Sequence, residues 1–262
     1  MSGSAGTWPF CDPETHEALS ETRDDDGRLQ LRSPAGRAYE VRDGIPIFLD
    51  RDGMSDGDRW QERFYDRLAP WYDLGSAVHL AISREARRWR EEYLAELTIH
   101  PDSRVLEVSI GTGANVPRVA AADFYGLDLS WRMLRRCRRK QRPGQRVTLC
   151  QGHAERLPFQ SNAFDVVFHV GAINSFESKS RALAEMTRVA RPGTRILVVD
   201  ATNRFRERYR HVPVIRAVYG KMREECRAPL DALPRGVEDV QLKPIAAGEL
   251  YCLTFRKPGA AG

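Results

Sequence analysis

The chain has 262 residues, is 42% hydrophobic and 29% charged, and carries a formal net charge of +5. That is the composition of one large α/β domain, or of one domain with a small appendage. No apolar run approaches the roughly 20 residues that span a bilayer. Met1 to Phe10 has no basic stretch followed by an apolar core, so it does not read as a secretory signal. The cysteines Cys11, Cys137, Cys150, Cys226 and Cys252 are scattered and form no C-x-x-C pair. Neither a disulfide framework nor a metal site is expected, and a reducing cytoplasm fits best.

In chain order, residues 1–50 read as a small β-rich unit. A Cys-Asp-Pro turn at Cys11 and an acidic turn at Asp24-Asp25-Asp26-Gly27 precede the alternating Arg28-Leu29-Gln30-Leu31. A second arm, Ala38-Tyr39-Glu40-Val41, leads through the turn Asp43-Gly44 into Ile45-Pro46-Ile47-Phe48-Leu49. Residues 51–58 are rich in Asp, Gly and Ser and read as a linker. Two helices are expected next, Arg59–Leu68 ending before Pro70, and Ser83–Leu97. In the second, Ala86, Trp89, Tyr93, Leu94 and Leu97 recur at helical spacing. Linker and helices together make a lid segment, 51–100.

From Arg104 strands and helices alternate, so 101–262 reads as a core domain. Strands are expected at Arg104–Val108, Phe124–Leu127, Arg146–Cys150, Ala163–Val170 and Thr194–Asp200. Helices are expected at Val116–Ala122, Ser130–Lys140 and Lys179–Ala190, the last stopped by Arg191-Pro192-Gly193. Such alternation argues for a parallel sheet covered on both faces. The tail, Val240–Ile245 and Glu249–Arg256, reads as an antiparallel hairpin closing the sheet.

The strongest chemical signal is Val105-Leu106-Glu107-Val108-Ser109-Ile110-Gly111-Thr112-Gly113. It is an apolar strand bearing a carboxylate, followed by a small-residue turn. Gly111 and Gly113 free the backbone to approach a ligand. The next strand ends in Gly126-Leu127-Asp128-Leu129-Ser130, where Asp128 is placed to accept from ribose hydroxyls. A dinucleotide fold would want a third glycine and a bare helix N-terminus for pyrophosphate. Glu107 would repel a pyrophosphate and suits a ligand carrying an ammonium group.

The stretch from about Arg59 to Arg256 resembles class I S-adenosylmethionine-dependent methyltransferases, and among them the ubiquinone/menaquinone-biosynthesis C-methyltransferase type. Besides the two turns, the matching segments include Phe64-Tyr65-Asp66-Arg67-Leu68-Ala69-Pro70-Trp71-Tyr72-Asp73 and Gly152-His153-Ala154-Glu155-Arg156-Leu157-Pro158-Phe159. Ala163-Phe164-Asp165-Val166-Val167 and Glu185-Met186-Thr187-Arg188-Val189-Ala190-Arg191-Pro192-Gly193 complete the series. The resemblance implies an α/β, Rossmann-like, doubly wound and mostly parallel seven-stranded sheet with an antiparallel C-terminal strand. The small β-rich unit and the helical lid are added to it.

The resemblance also implies roles. Glu107 and the backbone of Gly111 and Gly113 would hold the methionine end of S-adenosylmethionine, and Asp128 its ribose. His153 and Ala154 would border the adenine. Tyr65 and Tyr72 would close over cofactor and substrate, and Val170 and Gly171 would line the transfer site. Two positions depart from the pattern. Ser109 stands where glycine is common, so the turn must keep a negative φ or tolerate a small side chain. His153 stands where Asp or Asn is common; a neutral imidazole can accept a hydrogen bond from the adenine amino group, and the protonated ring cannot. Weaker cofactor binding at acidic pH follows. The first 50 residues resemble the zinc-ribbon-like domain found with some tRNA and rRNA methyltransferases. Of its metal ligands only Cys11 remains, with His16 nearby, so a metal-free remnant packing as a cap is expected.

His169, at the end of Ala163–Val170, is the candidate general base for a phenol or quinol acceptor, against the alternative of a buried core histidine. The function so implied is methyl transfer to a small-molecule acceptor, aromatic, quinone-like or a secondary metabolite. The alternatives are an RNA methyltransferase and a cofactor-binding non-catalytic partner subunit. The basic cluster Arg132, Arg135, Arg136, Arg138, Arg139, Lys140 and Arg142 would serve a nucleic-acid partner, but no aromatic residues interleave with it, so a solvated helix face is the expected reading. A second Arg-rich stretch, about 201 to 236, is read as a surface for an acidic substrate, a homodimer contact, or a solvated helix.

Overall fold

The computed structural model describes residues 9–82, 84–118, 123–220 and 225–259, without the side chains of 74–87. The chain opens with β1 (Ser20–Arg23), β2 (Leu29–Arg32), β3 (Ala38–Arg42) and β4 (Ile45–Pro46), an antiparallel sheet in that order. Two helices follow, α1 (Asp56–Ile82) and α2 (Arg84–Leu94). The alternating region gives β5 (Arg104–Val108), β6 (Asp123–Asp128), α3 (Trp131–Arg139), β7 (Val147–Gln151), β8 (Val166–Val170), α4 (Lys179–Val189) and β9 (Arg195–Ala201). Two short helices, α5 (Asn203–Arg208) and α6 (Pro213–Tyr219), precede the hairpin β10 (Glu238–Ile245) and β11 (Leu250–Arg256).

The large sheet runs β10-β11-β9-β8-β5-β6-β7. Pairing is parallel from β7 through β9, and β11 is antiparallel to both β9 and β10. This is the expected seven-stranded sheet. The chain winds outward from β5 to β7, then returns to lay β8 on the other side of β5. The crevice at the carboxyl ends of β5 and β8 is therefore the topological switch point, where open α/β sheets bind ligands.

Alternation along β5 divides its side chains between two faces. Leu106 and Val108 join a core with Phe164, Val167 and the α4 residues Leu183 and Met186. Val105 joins the other core with Phe124, Leu134 and Phe168, sealed by Tyr93 of α2. The N-terminal sheet is fastened to the edge of this fold. Phe48 N–H donates to Gln151 O at 2.8 Å, and Ile47 bridges Gln151 in parallel sense. Phe10 and Phe48 are buried in the same core as Leu127 and Phe159, with the Phe10 and Phe159 rings 5.3 Å apart.

Three sequence expectations need correction. The first lid helix does not stop before Pro70; α1 begins at Asp56 and runs through Pro70 to Ile82. Proline costs the bond to the Asp66 carbonyl. Pro70 lies on the exposed side, where water can serve that carbonyl, and side chains on both sides of it fix the helix to α3. The helix expected at Val116–Ala122 is a single 3-10 turn, Val116–Arg118, with residues 119–122 outside those described. Asn115 and Val116 are buried there, so side-chain anchoring rather than helix periodicity shapes the segment. Of the second lid helix, Ser83 and the Ala86 side chain lie outside the described residues, and α2 ends at Leu94.

The basic cluster on α3 is partly committed to the fold. Arg136 and Lys140 pair with Asp73 of α1 at 3.1 and 3.0 Å. Among the described residues no helix is long and apolar enough to cross a membrane.

Candidate functional site

The turn after β5 is held open by left-handed backbone. Ser109, Gly111 and Gly113 have φ of 61°, 56° and 75°. Ser109 therefore does not keep the negative φ that was one of its two options; the turn tolerates the small side chain in a strained conformation. Gly113 is required for space as well, since a Cβ there would lie 2.5 Å from Cys137 Sγ.

Asp128, at the carboxyl end of β6, is buried. Its Oδ2 accepts from Gly111 N–H at 2.7 Å and its Oδ1 from Ser130 N–H at 2.9 Å. Burial pushes its carboxyl up to about 6, against these two backbone donors. Each carboxylate oxygen keeps a second lone pair for a ligand. Ser130 itself caps α3, accepting from Met133 N–H at 3.2 Å.

Glu107 points to the other lobe of the crevice. Its Oε1 accepts from Asn115 Nδ2 at 2.6 Å, and Asn115 Oδ1 accepts from the Tyr93 hydroxyl at 2.7 Å. Glu107 Oε2 is buried with no partner. Burial pushes the Glu107 carboxyl up to about 8, although the Asn115 hydrogen bond and the charge of Arg90 pull it down. Arg90, from α2, borders the same cavity, is 8% exposed, and has an unpartnered Nε. A buried carboxyl and a buried guanidinium thus face one space, each with an unmet polar atom. Such groups carry a cost unless a ligand meets them.

Two adjoining cavities occupy the crevice, of about 240 and 290 Å³. Tyr72, Ser109, Gly111, Val170 and Gly171 are walls of both. Asp128, His153 and Ala154 line the first only, and Glu107 and Arg90 the second only. The roof of the first is a stripe of α1. Asp58, Gln61, Tyr65, Leu68 and Tyr72 recur at three- and four-residue spacing and all line it. A neighbouring face of α1 is pinned to the core. Asp66 Oδ1 accepts from Ser130 Oγ at 2.6 Å and from Arg132 N–H at 3.0 Å. Asp73, two turns on, accepts from Thr112 Oγ1 at 2.6 Å and faces Arg136 and Lys140.

The structure thus brings Tyr65, Tyr72, Glu107, Gly111, Asp128, His153, Ala154 and Val170 to one crevice, with Gly113 supporting its turn. His153 Nε2 lies 3.9 Å from Asp58 Oδ2 at the rim of the first cavity. His169 lines neither cavity. It is fully buried, Nδ1 lies 2.9 Å from Val108 O, and burial lowers its pKa to about 4. Position 169 is on the side of β8 that packs into the fold; the backbone meets its Nδ1, and its Nε2 is buried with no partner.

Arg90, Asn115, Asp200 and Tyr219 are site residues that sequence reading missed. Asp200, at the end of β9, lines the second cavity and is buried. Its Oδ2 accepts from Asn174 N–H at 2.8 Å and its Oδ1 from Ala201 N–H at 2.7 Å, with the Tyr219 hydroxyl 3.5 Å away. Burial pushes it up to about 6. A signal for Asp200 did exist: it is an acid at the carboxyl end of a strand, as Asp128 is. Arg90 gave none, since it sits among other charged residues of α2.

Comparison with known proteins is consistent with this geometry. A methyltransferase-domain family model matches residues 106–198. The chain is 36% identical over 141 residues to the ubiquinone/menaquinone biosynthesis C-methyltransferase of Syntrophotalea carbinolica, covering 52% of this chain and 59% of that one. It is 31% identical over 147 residues to the demethylmenaquinone methyltransferase of Lactiplantibacillus plantarum, covering 53% and 61%. The chain thus spans about three-fifths of the length of these relatives. A crystal structure of an S-adenosylmethionine-dependent methyltransferase from Thermotoga maritima superposes with a TM-score of 0.56 at 21% identity, covering 75% of this chain and 99% of that one, and shares its fold.

Proposed function

From the premise that this chain carries a class I S-adenosylmethionine-dependent methyltransferase domain, we propose that it methylates a small aromatic or quinone-like molecule, or a secondary metabolite, held in the crevice under α1. The observation that carries the reading is the pair Glu107 and Arg90. An amino-acid end presents an ammonium and a carboxylate, and these two side chains offer the complementary charges in one cavity. Asp128 would accept from the ribose hydroxyls, and His153 and Ala154 would border the adenine. Tyr65 and Tyr72 would cover the ligand from α1.

The cofactor supplies an activated sulfonium methyl. The chain's own residues position the acceptor and exclude water. The acceptor lobe is assigned to the aromatic wall of Tyr72, Phe205, Tyr209 and Tyr219, beside Asp200. A phenol or quinol becomes nucleophilic once deprotonated, and Asp200 would take that proton onto its carboxylate. This role passes to Asp200 because His169 lines neither cavity. The nucleic-acid alternative is weakened by the pairing of Arg136 and Lys140 with Asp73. A cytoplasmic location is part of the proposal and accords with five free, buried cysteines.

The test has two steps. Calorimetry should show S-adenosylmethionine binding that Glu107→Gln and Arg90→Met each weaken by about 10- to 100-fold, with Asp200→Asn leaving it nearly unchanged. Label transfer from methyl-tritiated S-adenosylmethionine in a cell extract should then put label in the organic-soluble fraction. Label in RNA or protein would overturn the acceptor class, and failure to bind the cofactor would overturn the reading as a whole.

A further inference from the structure

We propose that the outer face of α1 is an interfacial docking surface that seats the cavity mouth on an anionic lipid bilayer. Trp60, Phe64, Arg67 and Trp71 follow one another at spacings of four, three and four residues, which is a single stripe along a helix. Trp60 is 42% and Trp71 67% exposed. Trp60 stacks on Phe64 with centroids 5.0 Å apart and planes 14° from parallel, so the stripe is preformed. Arg67 of the stripe and Arg63 beside it are exposed and form no ion pair with another described residue. Among the described residues the exposed large aromatics are Trp60, Trp71 and Tyr72, and all three are on α1.

Large exposed apolar side chains call for an explanation when they gather on one face. Tryptophan interleaved with arginine is the composition of helices that lie in a membrane interface, with indoles at headgroup level and guanidiniums on anionic lipids. The charge sign agrees, since the chain is +5 overall. The position agrees too. Tyr72 is next to Trp71 and lines both cavities, and exposed Val214 of α6 lines the first, so the apolar stripe continues into the cavity rim. Single-stranded nucleic acid fits less well. Trp60 already spends a ring face on Phe64, and Trp60 and Trp71 are roughly 16 Å apart along the helix, too far to stack successive bases.

The surface does not depend on which ligand the cavity holds, so the two readings can fail separately. The test is co-sedimentation of the full chain with phosphatidylcholine vesicles, with or without about one-third phosphatidylglycerol. Binding to the anionic vesicles with a blue shift of tryptophan emission is expected. Trp60→Ser with Trp71→Ser, and separately Arg63→Glu with Arg67→Glu, should each weaken that binding about tenfold or more. S-adenosylmethionine binding in solution should stay unchanged, because none of these four side chains lines either cavity. A wild-type chain that stays in the supernatant overturns the proposal. So does vesicle binding that survives both double substitutions, or substitutions that abolish binding to polyuridylate while leaving vesicle binding intact.

Discussion

Asn115 joins Tyr93 of α2 to Glu107 of β5: its Oδ1 accepts from the Tyr93 hydroxyl at 2.7 Å and its Nδ2 donates to Glu107 Oε1 at 2.6 Å. The relay fixes one oxygen of Glu107 and leaves the other unpartnered beside Arg90. Because the ligand-free carboxyl holds its proton up to about pH 8, binding a cationic ligand must release that proton. Apparent affinity for S-adenosylmethionine should therefore rise with pH toward about 8. It should fall again above that, as the ligand's own α-ammonium, with an ordinary pKa near 7.7–8.0, discharges. Calorimetry in buffers of different ionisation heat should detect the released proton at pH 7. Glu107→Gln should abolish that release.

The same group affects stability with the opposite sense. Its folded pKa is raised above the ordinary value of 4.5, so the folded state holds the proton more tightly than the unfolded chain. Ligand-free stability should then fall as pH rises from 4.5 through 8. Glu107→Gln removes that loss. The variant should melt several degrees above wild type at pH 8 and level with it at pH 4. Thermal scans at the two pH values check this.

Ser109 adopts φ 61° without being glycine. Ser109→Gly should relieve about 1 kcal/mol of backbone strain and raise the melting temperature by about 2–4 °C. Its side chain lines both cavities but makes no hydrogen bond that the site depends on, so cofactor affinity should change by less than about twofold. A melting temperature that drops instead would show that the serine is doing more than occupying the turn.

Asp73 holds α1 to Thr112, Arg136 and Lys140. These groups are part-exposed, so Asp73→Asn should cost only about 0.5–1 kcal/mol of global stability. The element it releases is α1. Stopped-flow measurement should show cofactor dissociation several-fold faster at low salt, and the difference from wild type should shrink at about 1 M salt, where exposed charges are screened.

His169 is predicted to matter for packing. Its ring is fully buried with one nitrogen on Val108 O. His169→Ala should destabilise the fold by about 2–4 kcal/mol through the cavity and the lost hydrogen bond. The pH profile of turnover in the surviving enzyme should keep its shape, whereas Asp200→Asn should flatten its acid limb.

Much of this protein was determined by local pattern. The period-two apolar runs, the Ser130 cap, the Pro192-Gly193 stop and the two turns bearing Glu107 and Asp128 each act within a few residues. Sequence order alone therefore places them on strands, helices and switch-point turns. Tertiary structure decided what depends on burial and on distant partners. Arg90 looks like any solvated charge of α2 until Tyr93 docks in the core and draws it into the cavity. His169 has the same neighbours in sequence as Val170, yet strand alternation against β5 turns one into the core and the other to the crevice. Pro70 would end an isolated helix, but Asp66 and Asp73 hold α1 on both sides of it. Which side chains are desolvated together is a property of the assembled sheet with α1 and α2, and that shared burial is what sets Glu107, Arg90 and Asp200 apart from the solvated charges.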